Sequence, residues 1–375
     1  MGDSAQEKTP EMLPGSDGSP GLGTLAPVVP GAATTLPADL AQLATLSATY
    51  ATRAFGAGTR RAYRSAWKQF TTWCGIHALD PFAGTAGPLP LYAAHMAHSG
   101  KTLSTIRVSF AGIATAYRMA GHALDLKDPK IAPVLEGIAR TVGSRPRRKV
   151  RPAVPDVLKR MLAQCGRDEI FRAAIAARNR AMLLIGFGAA LRRSEIVSLA
   201  LSDAEIIPDR GIVLLIRQSK TDQQAQGHQI GIWANPVDPQ FCPMVALQDW
   251  LEFRKLARDQ TSGSDVDTKA GVGEGAFQPL FCAVTKGGVI TGAALSDKAV
   301  VRLIKEVTTN AGLDSKIYAG HSLRAGLMTA AVETGADISN AMRQSRHVSV
   351  QTAMGYFRPA DLWRNNVTEA LFRRG

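Results

Sequence analysis

One stretch near the C-terminus carries much of the chemical information in this chain: Arg346-His-Val-Ser-Val-Gln-Thr-Ala-Met-Gly-Tyr356. His347 and Tyr356 are nine residues apart, and the tyrosine follows an amphipathic run that ends in Met354-Gly355. A lone tyrosine on such a helix is more often a core residue than a nucleophile, because its ring buries a large apolar area. The interpretation of Tyr356 therefore depends on the polar patterns upstream of it.

The first upstream pattern is Gly320-His-Ser-Leu-Arg-Ala325, at a predicted helix start. His321 and Arg324 are at i and i+3, so both side chains face the same way. The positive end of the helix dipole adds to their potential, which makes this element suitable as an anion site with a titratable donor. A capping histidine beside a surface arginine is the alternative.

A second pattern is Ala190-Leu-Arg-Arg-Ser-Glu-Ile196, directly after an apolar helical run. Arg192 and Glu195 are three residues apart, so on a helical turn the carboxylate can hold the guanidinium in a fixed pose. Such pairs are also common as surface ion pairs, which is the alternative here.

A third pattern is Gln218-Ser-Lys-Thr-Asp222, which connects the β-rich runs 211–217 and 229–233. Two such runs around a polar connection predict a hairpin with Lys220 at its tip. A lysine on a turn is usually only solvated. This pattern taken alone does not distinguish a solvated Lys220 from a functional one.

Along the chain the patterns follow one another as Arg, Lys on a hairpin, His-x-x-Arg, His, and Tyr nine residues later. This order resembles the tyrosine recombinase (phage integrase) family of site-specific recombinases, and the motifs cover about residues 153–357. Gly320-His321-Ser322 is similar to the Cre-like members, and the Leu-Arg-x-Ser-Glu element to the Xer and integrase group. Ser345-Arg346 departs from the Leu-Gly or Gly-Gly of many relatives, so we expect a cation next to the site and a differently shaped turn.

The resemblance implies a set of site residues: Arg192, Glu195, Lys220, His321, Arg324, His347 and Tyr356. Tyr356 is the expected nucleophile, which forms a covalent 3′-phosphotyrosine without ATP. Arg192 and Arg324, with His347 beside them, would neutralise the charge on the attacked phosphate and ease ionisation of the phenol. Lys220 would protonate the departing 5′ oxygen.

The two remaining members of the set have supporting roles in this interpretation. His321 would assist proton transfer, and Glu195 would orient Arg192 without touching DNA. The sequence has no acidic cluster suited to a catalytic metal, so we expect neither a metal nor another cofactor.

The expected fold is mainly α with a small antiparallel sheet. We expect a disordered tail over residues 1–36, a helical core-binding (DNA-binding) domain over 37–142, a basic linker over 143–153 and a mixed α/β catalytic domain over 154–375. Two helical stripes of apolar residues support the first folded domain: Tyr63, Trp67, Phe70 and Cys74, and Ile106, Phe110, Ile113 and Tyr117.

A net charge of +13 and a pI near 9.8 indicate a polyanionic partner. A generic basic surface and an acidic membrane are the alternatives, although no apolar run approaches the roughly 20 residues of a membrane span. The residues predicted to contact DNA are Arg60, Arg61, Arg64 and Lys68 in the first helix, and Arg145, Arg147, Arg148, Lys149 and Arg151 in the linker. Solvated helix faces and a plain solvated linker are the alternatives.

Strand exchange engages two duplexes, so the resemblance implies double-stranded DNA with a specific recombination site as the partner and a homo-tetramer on that DNA. The segment 359–374 is a candidate helix that docks on a neighbouring protomer, or else on its own domain. The four cysteines are far apart without a C-x-x-C pair, which predicts reduced thiols. We expect a cytoplasmic, nucleoid-associated protein, bacterial or encoded by a mobile element, with no membrane partner.

Three other functions fit parts of the pattern. A catalytically silent DNA-binding architectural or regulatory protein of the same fold would keep the basic surfaces but lose the chemistry, and the intact motif set argues against it. A relaxing enzyme of the type IB topoisomerase kind shares the chemistry without a partner site. A metal-dependent nuclease is disfavoured, since the seven histidines do not cluster with carboxylates.

Overall fold

The computed structural model divides the chain into two compact units, Met1–Arg147 and Arg148–Gly375, called here the N-terminal and C-terminal units. The residues that it describes are 40, 42, 43, 46, 50, 54–85, 87–143, 150–166, 173–217, 227–262, 278–360 and 367–373. The predicted tail 1–36 lies outside them. The predicted domain limits of 37–142, 143–153 and 154–375 stay predictions.

The described part of the N-terminal unit is helical: α1 (Ala57–Ile76), α2 (Pro88–His98), α3 (Leu103–Met119) and α4 (Ala132–Val142). Both predicted apolar stripes lie in its core, on α1 and α3. The two helices approach closely at Gly112, where a Cβ atom would lie 3.0 Å from the Tyr63 Cα. Thr102 caps α3 by accepting a hydrogen bond from the Thr105 amide. Gly121, with φ of 78°, follows the end of α3.

The described part of the C-terminal unit contains helices α5 (Pro155–Leu162), α6 (Ala173–Gly188), α7 (Arg193–Ser198), α8 (Pro243–Ser262), α9 (Asp297–Asn310), α10 (Ser322–Glu333), α11 (Ile338–Ser345), α12 (Val350–Ala360) and α13 (Val367–Phe372). Its strands are β1 (Ala204–Ile207), β2 (Gly211–Ile216), β3 (His228–Trp233), β4 (Cys282–Val284) and β5 (Ile290–Ala294). Strands β1–β3 form one antiparallel sheet and β4–β5 a second. The predicted class, mainly α with little antiparallel β, is confirmed.

The predicted hairpin is present as β2 and β3, which pair Ile212 with Ile232 and Leu214 with Ile230. These four side chains are buried and form the core face of the sheet. The first residue of β2 is Gly211, and a larger residue does not fit there because a Cβ would lie 2.0 Å from the Ile232 carbonyl oxygen. The tip of the hairpin, with Lys220, lies outside the described residues, as does most of the predicted loop 261–275.

The largest departure from the predicted elements concerns the end of α6. The sequence predicts a helix to residue 190, but α6 ends at Gly188 and Ala190 adopts φ of 47°. The Leu191 amide then donates to the Gly186 carbonyl at 2.9 Å, which closes the helix end and turns the chain. Residues 181–186 of α6 are buried all round, so this central helix carries the turn to Arg192.

Strand β1 and the β4–β5 hairpin were not predicted. They are short, and their burial patterns show no clean alternation between exposed and buried residues. No helix in the described part of the chain is long and apolar enough to cross a membrane.

Candidate active site

Four segments of the C-terminal unit bring six of the seven predicted site residues together, all except Lys220, which lies outside the described residues. Arg192 lies in the turn after α6, and His321 and Arg324 lie at the start of α10. His347 lies in the turn after α11, and Tyr356 lies on α12. The residues come from positions up to 164 apart in sequence, and the fold places their side chains around one pocket, as the contacts below show.

Arg192 is the residue that precedes α7, and it is held by Glu195 in the first turn of that helix. One carboxylate oxygen of Glu195 accepts from Arg192 Nη1 at 2.6 Å, and the other accepts from the Arg192 backbone amide at 2.9 Å. Glu195 is only 3% exposed, so the carboxylate is withdrawn from water and fixes the guanidinium. The predicted pairing of these two residues is present in this geometry.

Arg324 is 1% exposed, which is unusual for an arginine. Its Nη1 donates to the Ala190 carbonyl at 2.8 Å. Its Nη2 is buried, and no acceptor within the described residues reaches it. Because an unsatisfied buried donor costs free energy, this nitrogen is suited to a ligand oxygen. Burial, with the nearby charges of Arg192 and Arg346, lowers the pKa of Arg324 to about 10, which leaves it charged at neutral pH.

His321 and Tyr356 are in direct contact, with 2.5 Å between the imidazole Nε2 and the phenol Oη. Packing against the protein lowers the pKa of His321, as do the charges of Arg324 and Arg192. Burial raises the pKa of Tyr356, and it outweighs the opposing attraction of the two arginines. The two guanidinium groups favour ionisation of the phenol, as expected, but burial has the larger effect and the pKa of Tyr356 is raised overall. Both groups are therefore neutral at pH 7.

His347 lies beside Tyr356, with ring centroids 5.6 Å apart. Its Nδ1 is 2.7 Å from the Ser345 hydroxyl, which also lies 2.7 Å from the Ala341 carbonyl. A carbonyl only accepts, so the assignment that satisfies both contacts has the serine donate to Ala341 and accept from Nδ1–H. Burial, followed by the charges of Arg324 and Arg192, lowers the pKa of His347 to about 4. The neutral ring then presents an unprotonated Nε2.

Arg346 occupies the turn between α11 and His347 with φ of 57° and ψ of 43°. The left-handed region costs a non-glycine residue about 1–2 kcal/mol. The side chain is nonetheless inside the protein, 4% exposed, and donates to Glu195 at 2.7 Å. The expected extra cation is therefore present, but it is paired with a carboxylate.

The model of the phage integrase family matches residues 154–362 of this sequence, more than half of the chain. The chain belongs to the phage integrase family of tyrosine recombinases.

A curated relative supports the same assignment over most of the chain. The integrase/recombinase XerD homolog of Selenomonas ruminantium is 28% identical over 322 residues, which cover 84% of this chain and 86% of the relative. The family is one of DNA breaking-and-rejoining enzymes, so membership supports that general activity here.

Two solved structures share the fold of this chain. The XerH site-specific recombinase, solved as a post-cleavage complex with a palindromic difH substrate, has a TM-score of 0.56 at 17% identity and covers 85% of this chain and 82% of its own. A lambda integrase dimer bound to a COC′ core site has a TM-score of 0.50 at 15% identity and covers 85% of this chain and 76% of its own.

Several predicted site residues of this family member belong to other segments than the four of the pocket or lie outside the described residues. Lys220 is in the second group, and so are four linker residues, Arg145, Arg147, Arg148 and Lys149. Arg151 is exposed, and its backbone amide donates to the Ile317 carbonyl at 2.8 Å. In the N-terminal unit the cations of α1 share its outer side: Arg61, Arg64 and Lys68 are exposed and Arg60 is half-buried.

Two residues of the pocket were not assigned a role from the sequence. Ser345 and Arg346 were noted only as a departure from the family pattern, and the structure places both in contact with predicted site residues. That departure was the available signal. Among the residues that the structure describes, no group of three or more His, Cys, Asp or Glu side chains could hold a metal ion.

Proposed function

We propose that this chain is a site-specific DNA recombinase that cuts and rejoins double-stranded DNA through a covalent 3′-phosphotyrosine on Tyr356. The observation that carries the proposal is the contact of Tyr356 with His321 beside Arg324, whose buried Nη2 has no acceptor in the described residues. A non-bridging oxygen of a scissile phosphate is an acceptor of the right charge. Family membership supports the same chemistry.

The charge of the pocket suits a phosphoryl transition state. Arg192, Arg324 and Arg346 carry three positive charges, and Glu195 offsets one of them. A phosphodiester has one negative charge, which rises toward about two when an oxygen nucleophile adds to phosphorus. Fixed guanidinium donors stabilise that increase without reorganising, and losing one of them slows such reactions roughly 10²–10³-fold.

The proton of Tyr356 has to leave during the attack, because the raised pKa keeps the phenol neutral beforehand. His321 Nε2 is placed to accept it. The phenol oxygen then forms a bond to phosphorus as the bond to the 5′ oxygen breaks, and Lys220 gives that oxygen its proton. A 5′-hydroxyl from a second duplex reverses these steps and completes strand exchange.

The partner in this proposal is double-stranded DNA with a specific recombination site, held by a homo-tetramer of the chain. Relatives bound to DNA sites support the DNA partner. The phosphates would be contacted by cations of both units: Arg60, Arg61, Arg64 and Lys68 in the N-terminal unit and Arg151 in the C-terminal unit. The linker cations outside the described residues would do the same: Arg145, Arg147, Arg148 and Lys149. We propose a cytoplasmic, DNA-associated protein that uses neither a metal nor ATP.

Covalent capture on nicked DNA tests the proposal. A binding site is selected from the DNA flanking the gene or from a random-sequence pool, and a nick next to the scissile phosphate removes the religation partner. In EDTA and without ATP, wild type should form an SDS-resistant adduct with the 3′ end, and Tyr356→Phe should form none. Tyr318→Phe, a buried tyrosine outside the pocket, is the matched control.

The other functions predict different results. A silent DNA-binding protein gives a shifted complex without an adduct, and a metal-dependent nuclease gives free ends that EDTA suppresses. A relaxing enzyme forms the adduct but relaxes a supercoiled plasmid without exchanging strands between two sites. An adduct that persists in Tyr356→Phe assigns the nucleophile to another residue. Each of these results contradicts the proposal.

A further inference from the structure

The charge that Arg346 adds to the pocket does not explain the conformation of this residue. It follows α11 in the left-handed region, where glycine is the favoured residue. An arginine is therefore not required there by the backbone. Its side chain is almost fully buried although it is charged, so its contacts have to offset both the strain and the desolvation.

Within the described residues, the hydrogen-bond partners of the Arg346 side chain all lie around the turn between α6 and α7. Nη2 donates to Glu195 Oε2 at 2.7 Å and lies 3.4 Å from the Ala190 carbonyl, while Nη1 donates to the Ala189 carbonyl at 3.1 Å. One planar fork thus joins the turn before His347 to the turn before Arg192.

The acceptors of Arg346 are the groups that hold the two phosphate-binding arginines. Glu195 binds Arg192 at 2.6 Å through its other oxygen. The Ala190 carbonyl accepts from Arg324 Nη1 at 2.8 Å. Arg346 therefore shares the acceptor Glu195 with Arg192 and the Ala190 carbonyl with Arg324. It makes no direct hydrogen bond to either arginine, since all three are donors.

We infer that Arg346 is a positioning residue: it fixes Glu195 and the Ala190 carbonyl so that Arg192 and Arg324 keep their pose toward the scissile phosphate. The inference rests on the proposed function. It also assigns a reason to the unusual Ser345-Arg346 sequence, since the fork ties the segment with His347 and Tyr356 to the arginine-bearing turn.

The identity of the residue matters because the contacts need a planar fork. A guanidinium reaches a carboxylate and two carbonyls at once, whereas a lysine ammonium places its charge at one point. Arg346→Lys should therefore keep the charge and lose the geometry. Arg346→Gly removes both but relieves the backbone, because glycine adopts the left-handed region without cost.

The test measures single-turnover adduct formation on nicked DNA at saturating protein, together with the dissociation constant for the same DNA. Arg346→Gln and Arg346→Lys should form the adduct about 10–100-fold more slowly, with the dissociation constant changed less than about threefold. Arg343→Gln is the matched control, since Arg343 is exposed on α11 and its side chain donates to Asn340, its one hydrogen-bond partner among the described residues. It should stay within about twofold of wild type in both quantities.

A double-mutant cycle separates positioning from a general loss of stability. If Arg346 acts through Glu195, then Arg346→Gln should slow Glu195→Gln by much less than it slows wild type. Two independent losses that multiply would overturn the inference. So would an adduct rate for Arg346→Gln at the wild-type level, or a loss that thermal melts account for by the unfolded fraction alone.

Three further outcomes are decisive. If the glutamine variant does not fold, the strain-free Arg346→Gly carries the same measurements, and failure of both to fold makes Arg346 a folding determinant and overturns the inference. A wild-type protein that forms no adduct overturns the proposed function and this inference together. An adduct in wild type with equal rates in the Arg346 variants overturns only the inference.

Discussion

His321 and Tyr356 are 35 residues apart in sequence, and their side chains meet with the imidazole Nε2 2.5 Å from the phenol oxygen. Both groups are neutral at pH 7, because the pKa of His321 is lowered and that of Tyr356 is raised. A neutral phenol beside a neutral imidazole is a donor–acceptor pair ready for proton transfer. The pair therefore places a proton acceptor in contact with the expected nucleophile.

The first prediction concerns this proton transfer. His321→Gln keeps a polar side chain but removes the base, so adduct formation should fall about 10²–10³-fold. In wild type the rate should be level between pH 7 and 8 and should fall as the pH drops below the ordinary histidine value of 6.5, where the ring becomes protonated. A fall on the acid side that persists unchanged in His321→Gln would assign the titration to another group.

The second prediction concerns the ionisation of Tyr356. Burial has a larger effect than the attraction of Arg324 and Arg192, so the phenol should titrate above its ordinary pKa of 10. The difference in absorbance at the phenolate band between wild type and Tyr356→Phe isolates this residue from the other five tyrosines. A midpoint below 10 would mean that the attraction of the two arginines outweighs burial, which would contradict the prediction.

The third prediction concerns the tautomer of His347. Ser345 accepts from Nδ1–H in the assignment that satisfies the Ala341 carbonyl, so nitrogen NMR of wild type should show a protonated Nδ1 and a bare Nε2. Ser345→Ala should populate both tautomers, while the signals of His321 stay unchanged. Protonation at Nε2 in wild type would contradict the assignment.

The fourth prediction concerns acid stability. The pKa of His347 in the folded protein is about 4, below the ordinary histidine value of 6.5, so the folded state favours the neutral ring. Such a group contributes stability above pH 6.5 and loses that contribution as the pH falls toward 4. Urea unfolding should show a steeper decline of the free energy of unfolding over this window in wild type than in His347→Gln. Equal slopes would contradict the lowered pKa.

The sequence predicts the parts of this protein in which local pattern and packing agree. The stripes on α1 and α3 and the β2–β3 hairpin each have a short-range signal of period or spacing, whereas the site residues followed from the resemblance of their order to a known family. The pairing of Arg192 with Glu195 follows from their separation on one helical turn. These features needed no knowledge of distant contacts.

The features that the sequence does not predict depend on long-range contacts. Ala190 leaves the helical conformation, and its carbonyl accepts a hydrogen bond from Arg324, a residue 134 positions away. The partner of Arg346 is Glu195, 151 positions away, so its burial has no local signal. The raised pKa of Tyr356 depends on how far burial outweighs the attraction of the two arginines, and the spacing of residues in the sequence does not give the extent of burial.

The last prediction concerns the support beneath Arg324, where the backbone before α5 lies against α10. The Ala153 amide donates to the Ser322 carbonyl at 2.9 Å, and a Cβ on Gly326 would lie 2.1 Å from the Ala153 carbonyl oxygen. Gly326→Ala therefore forces two backbones apart, and we expect a loss of roughly 2–3 kcal/mol in the free energy of unfolding. Adduct formation should slow as well, because α10 carries Arg324.

The matched control is the glycine of α12 next to the nucleophile. A Cβ on Gly355 meets no heavy atom within 4 Å, so Gly355→Ala should leave the free energy of unfolding within about 1 kcal/mol of wild type, toward greater stability. Urea unfolding of both variants measures the difference. If Gly326→Ala is as stable as Gly355→Ala, the contact between α10 and Ala153 is looser than 2.1 Å implies, and Arg324 is held by its own hydrogen bond to Ala190 alone.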